Sequence, residues 1–396
     1  MTVSVHNPDR YMADLRTIVA QGRKRIGFLI GAGAAAGIQS PSGSGPLIPA
    51  VDELTNRILK TLEGDYGPVL SAIKKHLPSG NIETILSRIR SLAGVIGDGD
   101  IDGLNGAAYA ELGRRICAEI GTTVDVQLPA GESPYRNVVN WIIGTDRVHP
   151  VELFTTNYDL LFEEAFERSR APYFDGFTGG REPFFDPVTI ASNDLPPRWT
   201  RLWKLHGSLG WKANENDEVI RTGEASSTHL IFPEHLKYDQ TQKAPYAALF
   251  DRLRAFLMTE DTLLIAVGFS FADAHVSARV DESLAGNPSA SVFAFQFREL
   301  ADEKFASGLA LKRPNFSVYA RDKAIINGVI GDWRPGDPLS RDWEPIRSTY
   351  WNSVGSGKSE FLLGDFTSLA RFFALSSSGQ AFEPPTSDET TAELVT

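Results

Sequence analysis

"RIGFLIGAG", residues 25–33, decides the fold, because an apolar run breaks there directly into a glycine turn. A continuous apolar run of this length marks a strand buried on both faces, and the glycines that follow mark its carboxyl end. A strand, a glycine turn and a helix in that order open many nucleotide-binding folds. Upstream, Tyr11, Leu15, Ile18 and Val19 recur at helical spacing, so residues 1–24 read as an N-terminal helical segment.

Downstream, from about Val51 to Trp141, "VDELTNRILKTL", "NIETILSRIRSLAGVI" and "AAYAELGRRICAEI" carry helical periodicity and read as a helical insertion. Strand signals return with "VELFTTNYD" (151–159), "LWKLHG" (202–207), "HLIFP" (229–233), "TLLIAVGFSF" (262–271) and "SVFAFQF" (291–297). Short apolar strands alternating with helices predict an α/β fold, a Rossmann-like, mostly parallel sheet flanked by helices. One domain is expected over residues 25–375. The segment 212–228 is polar and turn-rich, a hairpin or a mobile loop between two core strands, and reads equally as functional or merely solvated. The end, 376–396, has acidic residues and no basic ones, and is expected to be a disordered tail.

Composition narrows the function classes. The 396 residues are 42% hydrophobic and 22% charged, the balance of a globular chain rather than a disordered one. A formal net charge of −11 provides no global positive field for a phosphate backbone or an anionic membrane surface, so nucleic acid is expected only through a partner. The basic "QGRKR" (21–25) reads as a solvated helix end. Cys117 is the only cysteine, which excludes an intrachain disulfide and any cysteine-rich zinc module, and no metal site is predicted. With no signal peptide pattern and no apolar stretch long enough to cross a bilayer, the expectation is a soluble, cytoplasmic protein with no membrane association.

In an α/β sheet the ligand lies outside the carboxyl ends of the strands, and polar groups gather at those ends here. Gly31, Ala32 and Gly33 would let a pyrophosphate approach backbone N–H groups, although glycine turns of this kind also serve tight packing. The acidic residue that a dehydrogenase needs after its second strand is missing, since Asp52 and Glu53 fall in a helical stretch. Thr156, Asn157 and Asp159 read as ligand contacts or as a helix cap. Gly268 and Ser270 form a turn able to line a ligand, and Asp273 and His275 either join it or cap and decorate the next helix. His206 sits between Trp203 and Trp211, which read as packing; by itself it is more often a satisfied structural histidine than a catalyst.

Taken together, the glycine turn, "TTNYD", "KLHGSLGW" and "GFSFADAH" resemble, in order and rough spacing, the sirtuin-like superfamily. The likeness is to its bacterial antiphage-defence branch of NAD-consuming proteins, and it spans roughly residues 25–345. The resemblance implies that Gly31, Ala32 and Gly33 form the phosphate turn, and that Asn157 contacts the nicotinamide ribose. It makes His206 the general base, and places Thr156, Asp159, Gly268, Ser270, Asp273 and His275 around the dinucleotide. It implies NAD as substrate, a homo-oligomer, and a HerA-type DNA-translocating ATPase as a candidate partner. The chain departs from sirtuin deacetylases by its single cysteine, by "GPLIPAVDEL" in place of an Ile-Pro-Asp-Phe-Arg stretch, and by Ala35 at a usual serine. Acyl-lysine deacetylation is therefore disfavoured.

The expected activity is NAD glycohydrolysis to nicotinamide and ADP-ribose, with antiphage defence by NAD depletion as its setting. Two rivals remain open: a module that senses NAD or ADP-ribose without turnover, and a serine hydrolase using Ser270 with His275 or His206. The second lacks the elbow's glycine two residues after the serine, where Ala272 stands.

Overall fold

The computed structural model describes residues 4–41, 43, 45–78, 80–216, 218–222, 244–336, 343–353 and 359–376. The strand expected at 229–233, residues 217 and 223–228 of the 212–228 segment, and nearly all of the acidic tail lie outside the described residues.

In chain order the strands are β1 (Val5–His6), β2 (Arg25–Ile30), β3 (Glu152–Thr155), β4 (Tyr173–Phe174), β5 (Phe177–Thr178), β6 (Phe184–Phe185), β7 (Thr200–Lys204), β8 (Trp211–Ala213) and β9 (Val219–Arg221). They continue with β10 (Thr262–Val267), β11 (Ser291–Phe295), β12 (Phe316–Tyr319), β13 (Lys323–Ile326), β14 (Val329–Trp333), β15 (Trp351–Ser353) and β16 (Ser359–Phe361). Ten of them form one sheet in the order β1-β14-β13-β12-β11-β10-β2-β3-β7-β4. From β12 through β4 every neighbouring pair is parallel, whereas β13 runs antiparallel to both its neighbours. The mixed α/β fold with a mostly parallel sheet is the one the apolar runs predict.

Alternation along each strand divides the core between two faces. Ile26, Phe28 and Ile30 of β2, with Leu263, Ile265 and Val267 of β10, pack toward the long helices Val51–His76, Ile82–Ile96, Gly106–Val124 and Pro134–Ile143. Leu29, Leu264 and Ala266 point the other way, toward the helices Tyr246–Met258, Ala274–Gly286 and Lys304–Lys312. Helix Tyr246–Met258 lies so close that a Cβ on Gly27 would sit 2.6 Å from the Phe256 ring. The N-terminal segment is woven into the sheet, because β1 pairs with β14 and Asp9 accepts hydrogen bonds from Arg347 Nε (2.8 Å) and the Tyr350 hydroxyl (2.6 Å). The polar loop after β7 begins as the β8–β9 hairpin, part of a four-stranded antiparallel sheet in the order β5-β6-β9-β8.

A buried ion pair pins the centre of the sheet. Glu152 of β3 is 3% exposed and accepts from Arg252 Nε and Trp203 Nε1, both at 2.8 Å. Removing the carboxylate strands a guanidinium and an indole N–H, so Glu152→Ala is expected to destabilise the fold by about 3–5 kcal/mol. Urea denaturation reads this directly; a midpoint equal to the parent's would disprove the role.

Candidate active site

Strand order locates the crevice. From β2 the chain proceeds through β3 to β7 on one side, then returns to the other side of β2 with β10 and moves on to β11 and β12. The direction reverses between β2 and β10, and that is where an open α/β sheet binds its ligand. Four strands end there on one level. Val267 pairs with Ile30, Ile30 with Thr155, and Thr155 with Lys204, so Gly268, Gly31, Thr156 and Leu205 leave the sheet side by side.

The first two exits interlock. Gly31 N donates to Val267 O (3.1 Å), Gly33 N to Gly268 O (2.9 Å), and Ala34 N to Gly31 O (3.1 Å). A Cβ on Gly31 would lie 2.3 Å from Gly268 O, and one on Gly268, whose φ is +66°, would lie 2.4 Å from Ala34 N. The glycines are therefore required by the approach of the two loops before any phosphate is considered. The turn opens a helix of only four residues, Gly33–Ala36.

The third exit carries Asn157. Its backbone N–H donates to Thr155 Oγ1 (3.0 Å) and its side-chain Nδ2 donates to Gly31 O (3.1 Å). The remaining amide oxygen, Oδ1, is buried and has no hydrogen-bond partner. A buried, unpaired acceptor is costly unless a ligand or water completes it. Thr156 is partly buried and donates its N–H to Ile30 O (3.2 Å). Asp159 Oδ1 accepts from Leu161 N (3.1 Å) at the start of helix Leu161–Arg168, and its carboxyl also hydrogen-bonds the Asn157 side chain. Its backbone carbonyl accepts from Lys204 Nζ, which also pairs with Glu163 Oε1 at 3.2 Å. Burial pushes the carboxyls of Asp159 and Glu163 up, against the pull of Lys204.

The fourth exit carries His206, two residues past Lys204 as Asn157 is two past Thr155. Leu205 N donates to Thr155 O (2.8 Å) and Leu209 N to Tyr158 O (2.9 Å), which stitches "KLHGSL" to "TTNYD". Trp203 and Trp211 are 1% and 2% exposed and do pack, as their spacing suggests. The His206 ring is buried with Nε2 3.1 Å from Asp273 Oδ2. That is ion-pair distance, and it is the contact that these two buried atoms share. Burial alone lowers the histidine pKa; the contact and charge of Asp273, aided by Glu83, outweigh it and hold the imidazole above its usual value. Burial in turn raises the Asp273 carboxyl, but His206 and two backbone N–H groups bring it down to about 2.

Asp273 is also the N-cap of helix Ala274–Gly286, with Oδ1 accepting from His275 N (2.8 Å) and Val276 N (3.0 Å). His275 is partly buried at the first turn of that helix. Ser270 is exposed; its Oγ accepts from Ala272 N at 3.4 Å, and among the described residues no hydrogen bond joins it to a histidine. Glu83 went unrecognised in the sequence. It lies in the first turn of helix Ile82–Ile96, whose Asn81 cap accepts from Thr84 N (3.0 Å), and its charge acts on both His206 and Asp273. An acidic residue after a capping Asn is ordinary helix chemistry, so no local signal distinguished it.

A separate cavity of ≈ 770 Å³ opens behind the His206 loop, lined by Glu163, Asp175, Ser208, Leu209, Trp211 and Arg221 among others. None of the sequence-predicted site residues lines this cavity. Among the described residues no group of three or more His, Cys, Asp or Glu side chains is placed to hold a metal ion, and no helix is long and apolar enough to cross a membrane.

Residues 151–319 match the SIR2-like domain family. The SIR2-like span starts one residue before β3 and ends with β12, so it contains Asn157, His206, Ser270 and Asp273 but not the glycine turn at 31–33 or Glu83. A solved structure from work on the structural basis for the mechanism and regulation of Sir2 enzymes is similar at 13% identity with a TM-score of 0.34, covering 75% of this chain and 89% of that one. No curated protein matches the chain.

Proposed function

We propose that this protein is an NAD glycohydrolase that cleaves the nicotinamide–ribose bond with water as acceptor. The observation that carries the reading is the pairing of Asn157 and His206 at equivalent positions past two neighbouring strand ends, one with an unsatisfied amide oxygen and the other a buried imidazole. Their place within a SIR2-like domain supports NAD as the substrate.

In this reaction the bond from ribose C1′ to the nicotinamide nitrogen breaks, and its electron pair leaves with nicotinamide. The water oxygen bonds to C1′ and the surplus proton passes to a base. The sugar carbon acquires oxocarbenium character, so the site must orient the ribose and deliver water from the opposite face. Asn157 Oδ1 orients the ribose and the water, and His206 accepts the proton. Gly31, Ala32, Gly33, Gly268 and Ser270 border the pyrophosphate, with Thr156 and His275 at its margins. Asp159 supports the Asn157 loop from beneath. A homo-oligomeric, cytoplasmic protein acting in antiphage defence with a HerA-type ATPase remains part of the proposal, on the resemblance.

Purified protein, alone and with such an ATPase, is incubated with NAD while nicotinamide is followed by chromatography. Release is expected in at least one preparation. NAD binding without release in either would replace this reading with the sensing module. A serine-directed probe that labels Ser270 would favour the hydrolase, which the absence of a described Ser270–histidine hydrogen bond argues against.

A further inference from the structure

We infer that Asp273 is the positioning residue of His206, choosing which ring nitrogen accepts the proton. The inference deepens the NAD-cleavage reading and rests on it for its consequence. The contact itself is independent of the substrate.

The two residues come from strands that are not neighbours. Between β7, which leads to His206, and β10, which leads to Asp273, stand β3 and β2. Three inter-strand steps amount to about 14 Å, so both loops must lean inward over the ends of β2 and β3 to bring Nε2 and Oδ2 to 3.1 Å. Asp273 is prepared for this by its cap. Oδ1 is held by the N–H groups of His275 and Val276, which fixes the carboxylate plane and leaves Oδ2 to face the imidazole. The His206 and Asp273 side chains are only 6% and 10% exposed, and neither Nε2 nor Oδ2 has another hydrogen-bond partner, so each atom is the nearest compensation for the other.

The chemical consequence concerns the tautomer. A carboxylate at Nε2 favours the proton on that nitrogen and leaves the lone pair on Nδ1. With Nε2–H directed at Oδ2, Nδ1 is the atom that takes the proton from water or the ribose. This is the orienting logic of an Asp–His pair, in which the acid does not itself become protonated. The charged groups facing the ring are Asp273 from the β10 loop and Glu83 from helix Ile82–Ile96; both favour the imidazolium and hold the His206 pKa above its usual value, against the lowering effect of burial. Activity should rise with pH through a histidine pKa above the ordinary value of about 6.5.

The test uses the full chain and two variants that preserve the helix cap. Asp273→Asn keeps the shape and removes the charge; Asp273→Ser keeps a capping oxygen and removes the second one. Histidine is labelled with ¹⁵N, the His206 signals are assigned by their loss in His206→Gln, and the titration is read from long-range ¹H–¹⁵N spectra. The parent is expected to carry Nε2–H in its neutral form. In both variants the His206 pKa should fall by about one unit or more. For nicotinamide release, kcat should drop about tenfold or more, with KM for NAD within about twofold and the acid limb of the profile moving to lower pH. Folded variants with an unchanged His206 titration would overturn the inference, as would an increase in KM with kcat intact, which would make Asp273 a substrate contact. If the parent binds NAD but releases no nicotinamide, the cleavage reading fails, and the titration alone decides the pairing.

Discussion

Asn157→Ala is expected to lower nicotinamide release by on the order of 10²–10⁴-fold, and His206→Ala by a similar factor, the range that a positioned proton-transfer or orienting group supplies. The Asn157 change separates chemistry from folding well. Its loop is held by backbone bonds, Asn157 N to Thr155 Oγ1 and Thr156 N to Ile30 O, and these survive the substitution. What is lost is the hydrogen bond to Gly31 O, worth about 1 kcal/mol, and the side-chain hydrogen bond to the buried Asp159 carboxyl, together with the unpaired Oδ1, whose removal relieves a buried acceptor. The melting temperature should fall only modestly while turnover collapses. Asn157→Asp is the sharper companion, because it keeps an acceptor where Oδ1 stands but replaces the Nδ2 donor, setting two oxygens against each other at Gly31 O. Release that survives both Asn157→Ala and His206→Ala would remove these residues from the mechanism even if NAD is the substrate.

Gly268→Ala should be the most destabilising single-methyl change near the site. Its backbone is left-handed at φ +66°, and the new Cβ would stand 2.4 Å from Ala34 N and 2.9 Å from Gly33 C. Left-handed backbone costs an L-residue roughly 1–2 kcal/mol, and displacing a neighbouring backbone adds more, for a total of about 3 kcal/mol or greater. The displaced loop is the one whose Gly33 N–H bonds to Gly268 O, so the crevice should widen and NAD binding should weaken along with stability. Gly64→Ala provides the contrast. It lies inside helix Val51–His76 with nothing within 4 Å of an added Cβ, and alanine there should stabilise by about 0.5–1 kcal/mol. Chemical denaturation of the two variants decides the matter; a Gly268→Ala protein as stable as the parent would show that the loops are not locked together.

The pair at the centre of the site also gives stability a pH signature. His206 is raised above its unfolded value, so its contribution is complete below about pH 6.5 and fades as pH climbs through the folded pKa. Asp273 is depressed to about 2, so its contribution is present above the unfolded carboxylate value of about 3.9 and is lost as acid approaches the folded one. Both are in force between those limits. Thermal melts of Asp273→Asn should accordingly lose most relative to the parent at pH 5–6 and least at pH 9; equal losses at both would contradict the linkage.

Much of the framework was legible because its signals are local. The runs ending at Ile30, Thr155, Lys204 and Val267 read as buried strands, and their breaks into glycine or small polar residues placed the loops at strand ends. Roles were harder to read. Asp159 was a ligand candidate or a cap, and the Leu161 N–H and Lys204 show its structural attachments. The glycines of the first turn had both a phosphate and a packing explanation, and the 2.3 Å approach to Gly268 O supplies the second without needing the first. Asp273 has a ligand reading and a helix-cap reading in the sequence; it does cap helix Ala274–Gly286, and it also faces His206, which no local pattern signals.

By itself the sequence determined the class of sheet, the positions where its strands stop and the polar residues waiting there, because alternation and turn chemistry act over a few neighbours in the chain. Strand order belongs to the tertiary structure alone. Only the reversal at β2 and β10 aligns four strand ends on one level, and only loops leaning across that row join His206 to Asp273. Glu83, 123 residues before His206 in the chain, reaches the same place through the packing of the inserted helices, a consequence of how apolar faces fit together that no local pattern encodes.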